Sequence, residues 1–173
     1  MKIVLIISSL AAGGAERVMS IIANYWARKG WDIILLTFDD GSEPPFYNLD
    51  PKINHQPLNL AGKSHNILEG IWNNFHRVRV IRKAIKKYSP QAVVAFMIRT
   101  NILTLIALLG LKIPSIVCEH SHPNFYCQDK IWPLLRNLIY PKASQLTVLT
   151  HAVLSCLPPR VRRKAVVIPN PVK

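Results

Sequence analysis

Lys2–Arg17 reads KIVLIISSLAAGGAER, and the spacing of its apolar residues changes partway along. After its lysine, Lys2 to Ile7 is an unbroken apolar, β-branched run, which suits a strand buried on both faces of a parallel sheet better than one with a wet side. Ser8 to Gly14 is a turn of mostly small residues. From Ala15, Val18, Ile21, Ile22 and Tyr25, with Trp26 beside them, recur at helical spacing, while Glu16, Arg17, Asn24 and Arg28 take the other side. The order is strand, glycine turn, helix. Gly13 and Gly14 allow close backbone approach at a helix start whose free N–H groups and positive dipole end suit phosphate. Glycine that merely makes the turn is the competing reading.

Downstream, Gly30 stops the first helix and Trp31–Phe38 reads as a second strand. Asp39-Asp40-Gly41 then follows, where an acid would hold ribose in a dinucleotide fold. That needs an earlier G-x-G-x-x-G, which Leu10–Glu16 lacks, so a turn is expected. Ser42–Pro51 carries three prolines and is a loop, Ile53–Leu58 a weak strand and Ala61–Ser64 another loop. His65–Tyr88 reads as a long helix with Ile67, Ile71, Val78, Ile81 and Ile85 as a core stripe. Arg79, Arg82, Lys83 and Lys86 cluster on another side with Leu68 and Trp72. Such a face suits an anionic membrane surface; an ordinary solvated face is the alternative.

Gln91–Phe96 is a buried strand, Asn101–Leu109 an apolar helix closed by Gly110, and Ile113–Cys118 a strand ending in Glu119-His120-Ser121-His122-Pro123. Ligands of open α/β sheets bind beyond the carboxyl ends of the strands, which singles out His120. Cys118, His120, His122 and Cys127 lack the clustering of a zinc module, and no third group orients a Cys–His pair. Asp129–Tyr140 is a helix if it begins near Ile131, so that Pro133 falls in its first turn. Ser144–Leu149 is a strand, Thr150–Cys156 a short helix that Thr150 caps, Pro158 to Lys164 a basic solvated loop and Ala165–Ile168 the last strand. Residues 1–168 therefore predict an α/β domain, a Rossmann-like doubly wound and mainly parallel sheet of six or seven strands, and 169–173 the start of an interdomain linker.

The chain of 173 residues is long enough for one such domain. Its 22 Lys and Arg against 9 Asp and Glu, a net charge of +13, favour an anionic partner: a phospholipid surface, a phosphorylated substrate or nucleic acid. No aromatic-studded RNA motif is present, so nucleic acid is not expected. Three cysteines, Cys118, Cys127 and Cys156, fit a reducing compartment. Ile102–Leu111 is about half the length a membrane span needs, and the amino-terminal run reads as a strand rather than a leader.

Four segments together resemble the amino-terminal domain of retaining family 4 glycosyltransferases: Ser9 to Arg17 as S-x-x-x-G-G-A-E-R, Glu119-His120-Ser121, Val148-Leu149-Thr150, and Ile168-Pro169-Asn170-Pro171-Val172. The nearest likeness is to bacterial enzymes extending glycans on undecaprenyl diphosphate. The resemblance implies half of a two-lobed fold, an acceptor-side domain whose donor-binding partner is the protein's own C-terminal domain. It also implies a nucleotide-sugar co-substrate, UDP-linked, no other cofactor and no metal, a polyprenyl-diphosphate glycan acceptor, and a cytoplasmic place on the inner membrane face. Carried over by position, His120 meets the transferred sugar, Gly13 and Gly14 face the diphosphate or acceptor, and Glu16, Arg17, Glu119, Thr150 and Asn170 are substrate-side candidates. Trp72, Arg79, Arg82, Lys83 and Lys86 become the membrane or lipid-diphosphate contact. A nucleotide-sugar epimerase half-domain and a non-catalytic basic binder of membrane or nucleic acid are the alternatives.

Overall fold

The computed structural model describes residues 1–62, 66–120 and 131–171. Seven strands form one wholly parallel sheet: β1 (Lys2–Ile7), β2 (Asp32–Thr37), β3 (Asn54–Pro57), β4 (Ala92–Phe96), β5 (Ser115–Glu119), β6 (Gln145–Val148) and β7 (Ala165–Val167). They lie in the order β3-β2-β1-β4-β5-β6-β7. β1 is central, with Lys2 to Ile7 in register against Asp32 to Thr37 on one side and Ile3 to Ile6 against Ala92 to Ala95 on the other.

The helices are α1 (Gly14–Arg28), α2 (Ile67–Tyr88), α3 (Ile98–Leu108), α4 (Ile131–Ile139), α5 (His151–Ser155) and α6 (Pro159–Arg162), with a 3-10 turn at Tyr140–Lys142. Parallel crossovers are right-handed, so the leftward step from β1 to β2 and the rightward steps from β3 onward put their helices on opposite faces. The packing agrees. Ile3, Leu5 and Ile7 meet Val18, Met19 and Ala23 of α1, whereas Val4 and Ile6 meet Ile81 and Ile85 of α2 and Leu103 of α3. A strand buried on both sides cannot alternate polar and apolar residues, which is why β1 reads as an unbroken apolar run.

Three expectations need correction. Ile71 does not belong to the core: it is 64% exposed, because α2 meets the sheet only from Val78 onward while its first turns overhang, leaving Leu68, Trp72 and Phe75 exposed as well. Pro158 to Lys164 is not a plain solvated loop. It contains α6, with Val161 buried, Arg162 donating to the carbonyls of Ser155 and Leu157, and Lys164 donating to those of Pro141 and Ala143. α3 begins at Ile98, three residues before the predicted Asn101, and Glu119 still belongs to β5.

Candidate functional site

All seven strands end at one rim. Between β1 and β4 the connections leave in opposite directions, which makes that junction the switch point where open α/β sheets form a crevice. The turn after β1 supplies one wall. Gly13 has φ −176° and ψ 162°, an extended conformation open to any residue, so turn geometry does not demand glycine there. Nor does space demand it: a Cβ on Gly13 would meet only the carboxylate of Glu16, the far end of a flexible side chain that folds back from the first turn of α1 and can swing aside. The Gly13 carbonyl accepts from Arg17 N at 3.0 Å and from Tyr47 Oη at 3.2 Å. Gly14 is exposed with open space where a Cβ would stand, and no side chain caps α1. Gly14 is therefore the open position of the turn, while Glu16 covers Gly13. Arg17 points elsewhere, into a depression of about 440 Å³ with Asn24, Arg28 and Tyr47.

The other wall follows β4. Met97 adopts φ 77° and ψ 139°, a sparsely populated region for a residue with a Cβ, at a cost of about 1–3 kcal/mol. Its N–H donates to Cys118 O at 3.2 Å and its carbonyl accepts from Asn101 N at 2.8 Å, so the kink is held from both sides. Backbone strain of this kind concentrates at functional rims. A methionine carries no turn signal, and the sequence reading accordingly missed it.

His120 leaves β5 next to this kink. Its ring stacks on Phe96 at 4.4 Å between centroids with 26° between planes. Burial pushes its pKa down to about 4, so the ring is neutral at physiological pH. His120 and Asn170 line one groove of about 450 Å³ with Ile22, Trp26, Thr147 and Ile168, on the α1 face where, among the described residues, no helix covers β5 to β7. These two candidates are brought together. Thr150 stands at the end of neighbouring β6, where its hydroxyl oxygen accepts from Val153 N at 3.2 Å to cap α5, leaving its own proton to donate.

Glu119 is placed differently from its neighbour. Its side chain points to the opposite face and is 2% exposed, with Oε2 accepting from Tyr140 Oη at 2.9 Å. Tyr140 Oη accepts in turn from Asn101 Nδ2 at 3.0 Å, and the same amide donates to Cys118 O at 3.0 Å. Glu119 therefore anchors the strand from inside instead of lining an open cleft. Burial pushes the Cys118 thiol up to about 12, which removes it as a nucleophile at neutral pH. His122 and Cys127 lie outside the described residues, and among the described residues no three His, Cys, Asp or Glu side chains come together as a metal cluster.

The Asp39-Asp40-Gly41 segment is a turn. Asp39 accepts from Thr37 Oγ1 and Gly41 N, Asp40 accepts from Ser42, and Gly41 at φ +76° sits where a Cβ would meet Pro57 at 2.6 Å. On α2, Arg79, Arg82, Lys83 and Lys86 do share one groove, about 550 Å³, with His76 and Val80. Trp72 is 70% exposed a turn or two earlier and packs on Phe75, whose ring lies 5.6 Å from the Arg79 guanidinium. Arg82 has a structural duty as well, donating to the carbonyls of Ala107 and Leu109 at the end of α3. Arg77 and Arg99, absent from the sequence-based candidates, line a further cleft at the rim.

A galactosaminyltransferase from Campylobacter jejuni, named for adding α-1,4-linked GalNAc to an undecaprenol-PP-linked glycan, is 33% identical over 149 residues, covering 86% of this chain and 40% of the relative. Sucrose-phosphate synthase from Thermosynechococcus elongatus superposes with a TM-score of 0.76 at 16% identity, over 97% of this chain and 47% of that one. UDP-GlcNAc 2-epimerase from Methanocaldococcus jannaschii gives 0.64 at 18% identity, over 98% and 46%. The chain thus spans less than half the length of each, and the two solved structures show a shared fold alone. The family model that matches residues 12–173 is that of Glycosyltransferase Family 4, which runs through the β1 turn, the β5 exit and the closing Pro-Asn-Pro segment. The chain belongs to glycosyltransferase family 4.

Proposed function

We propose that this domain forms the acceptor side of a retaining glycosyltransferase, which moves a sugar from a nucleotide-sugar donor, UDP-linked, to a glycan on a polyprenyl diphosphate. A donor-binding domain of the same protein would close over the rim. The observation that carries the reading is the pairing, in a family 4 chain, of a neutral His120 in the groove beyond the end of β5 with a cationic helix face away from it. Rupture of a sugar–diphosphate bond builds positive charge at the anomeric carbon and negative charge on the leaving oxygens. An uncharged imidazole can exchange hydrogen bonds with sugar hydroxyls beside that cationic carbon, where an imidazolium would repel it. The open amide end at Gly14 faces negative charge favourably. Cations and amides aimed at phosphate supply this stabilisation without a metal.

The acceptor's lipid explains the α2 face. Arg79, Lys83 and Lys86 are exposed beside Trp72 and Leu68, a combination that attracts anionic headgroups and seats apolar side chains among them. No helix among the described residues is long and apolar enough to cross a membrane, and the proposed attachment is peripheral, on the cytoplasmic face. The reading is tested with the full-length protein, a panel of UDP-sugars and a short-chain prenyl-diphosphate glycan. Transfer with retained anomeric configuration is expected, with His120→Ala lowering kcat by about 100-fold or more, the size seen when an oriented transition-state group is removed. Undiminished turnover removes His120 from the site, and interconversion of the UDP-sugar without transfer supports the epimerase alternative.

A further inference from the structure

α2, α3 and α4 lie on the same face of the sheet, and α3 packs against both of its neighbours. α3 is sunk between them: nine of its eleven residues are buried and only Arg99 is exposed. The outer surface on this side is therefore built by α2 and α4. α4 reads IWPLLRNLI. Trp132, Leu135 and Ile139 turn inward onto the apolar cluster beneath, whereas Ile131, Leu134 and Leu138, at i, i+3 and i+7, are 62%, 69% and 67% exposed. Polar residues at those positions would complete an ordinary amphipathic helix; large apolar ones leave a stripe facing water. The cleft lined by Gly70 and Asn74 of α2 and Trp132 of α4 joins the two helices at their first turns. Beyond it on α2 stand the exposed Leu68, Trp72 and Phe75. Apolar side chains scattered singly over a surface need no explanation, but two stripes flanking one cleft mark an interaction surface.

Charge decides what covers them. Glu69 is the only acid in the sequences of α2, α3 and α4, against eight lysines and arginines. A second copy of the chain would bring those cations against themselves. A donor domain closing over the rim meets the strand ends and not this layer, which lies on the flat of the sheet. Anionic headgroups above hydrocarbon pair the cations of α2 and take in the leucines of both helices together.

We propose that the outward stripe of α4, Ile131, Leu134 and Leu138, is a second membrane contact, which seats among the acyl chains of an anionic bilayer and lays this side of the sheet on its surface. The inference rests on the peripheral attachment proposed for α2 and extends it to a helix whose hold is apolar. Vesicles of phosphatidylglycerol and phosphatidylcholine, some with brominated acyl chains, test it on the full-length protein without donor, acceptor or turnover. In a Trp72→Phe, Trp132→Phe background, Trp26 and Trp31 remain in the layer on the other face of the sheet, so an added tryptophan reports its own position. Leu134→Trp is expected to shift to the blue on vesicles and to be quenched by bromine. Phe46→Trp, exposed on the loop that bonds to α1, should show neither. Leu134→Ser with Leu138→Ser should lower partition by about tenfold or more at low salt, and again at about 1 M salt, where screening reaches about 3 Å, because the lost contribution is apolar. Both positions are exposed, so the melting temperature should be unaltered. If the wild type partitions while Leu134→Trp is neither shifted nor quenched, the proposal falls and the α2 attachment stands; a wild type that does not partition removes both. A concentration-dependent dimer abolished by the serine pair shows a second copy on this face, and Leu134→Trp emission that is blue before vesicles are added and unquenched after shows the protein's own donor domain there; either overturns the proposal.

Discussion

At the scale of single residues, His120 and Glu119 are neighbours with opposite fates. Successive residues of a strand face opposite sides, so the Glu119 carboxylate enters the interior with Tyr140 and Asn101 while the imidazole lies in the groove against Phe96. The motif Glu119-His120 is legible in sequence, but which of the two meets the cleft depends on where β5 ends. Burial of the ring has a consequence for stability. With a folded pKa of about 4 against an ordinary 6.5, the unfolded chain binds a proton between those values that the folded chain refuses. The stability contributed by the neutral ring is therefore complete above about pH 6.5 and is lost as pH falls towards 4. An NMR titration should find the His120 ring unprotonated at pH 5.5, and His120→Phe, which keeps the stack and removes the titration, should flatten the acid limb of stability between pH 6.5 and 4. A midpoint near 6.5 would show that the ring is solvated and not in the groove.

At the scale of elements, the helix and strand order was readable because each parallel strand is an apolar run and each helix an amphipathic one. Its boundaries were not. α3 begins three residues before its apolar run predicts, because the kink at Met97 resembles no turn, and Arg99 therefore lies in a helical turn that the sequence pattern does not signal. The face of α2 was half legible: periodicity identifies a stripe, but only the sheet's edge decides how many turns of the stripe are covered, and Ile71 lies beyond it. The overhang is what gives α2 an apolar tip next to a basic body. Each lysine or arginine near an anionic surface contributes on the order of 1 kcal/mol. Arg79→Glu, Lys83→Glu and Lys86→Glu together should therefore reduce partition onto phosphatidylglycerol vesicles by about 100-fold or more at low salt. Arg82 is left in place because it ties α2 to α3. Trp72→Ser should lower binding in high salt too, since its term is apolar. Sedimentation unchanged in both variants would reduce the face to a solvated surface.

At the scale of the molecule, one sheet separates two apolar layers, and β1 belongs to both. Leu5 packs into the α1 layer and Ile6 into the α2 and α3 layer, each with no exposed surface. The lobes of the rim inherit that division: the His120 groove opens on the α1 face, and the Arg77–Arg99 cleft on the other. Their separation is maintained by a central strand that neither layer can release alone, because loss of packing on one face frees the strand from its register on the other. The two layers should consequently unfold as one cooperative unit. Leu5→Ala and Ile6→Ala each leave a cavity in a close-packed layer and should cost about 2–5 kcal/mol of unfolding free energy. Denaturant melts followed by far-ultraviolet circular dichroism and, in a Trp72→Phe, Trp132→Phe background, by tryptophan fluorescence should coincide for both variants, because the remaining Trp26 and Trp31 pack against the α1 layer while the circular dichroism reports helices on both faces. If Ile6→Ala split the two signals, the α2 and α3 layer would be melting on its own, and β1 would not be the shared spine that positions the two clefts.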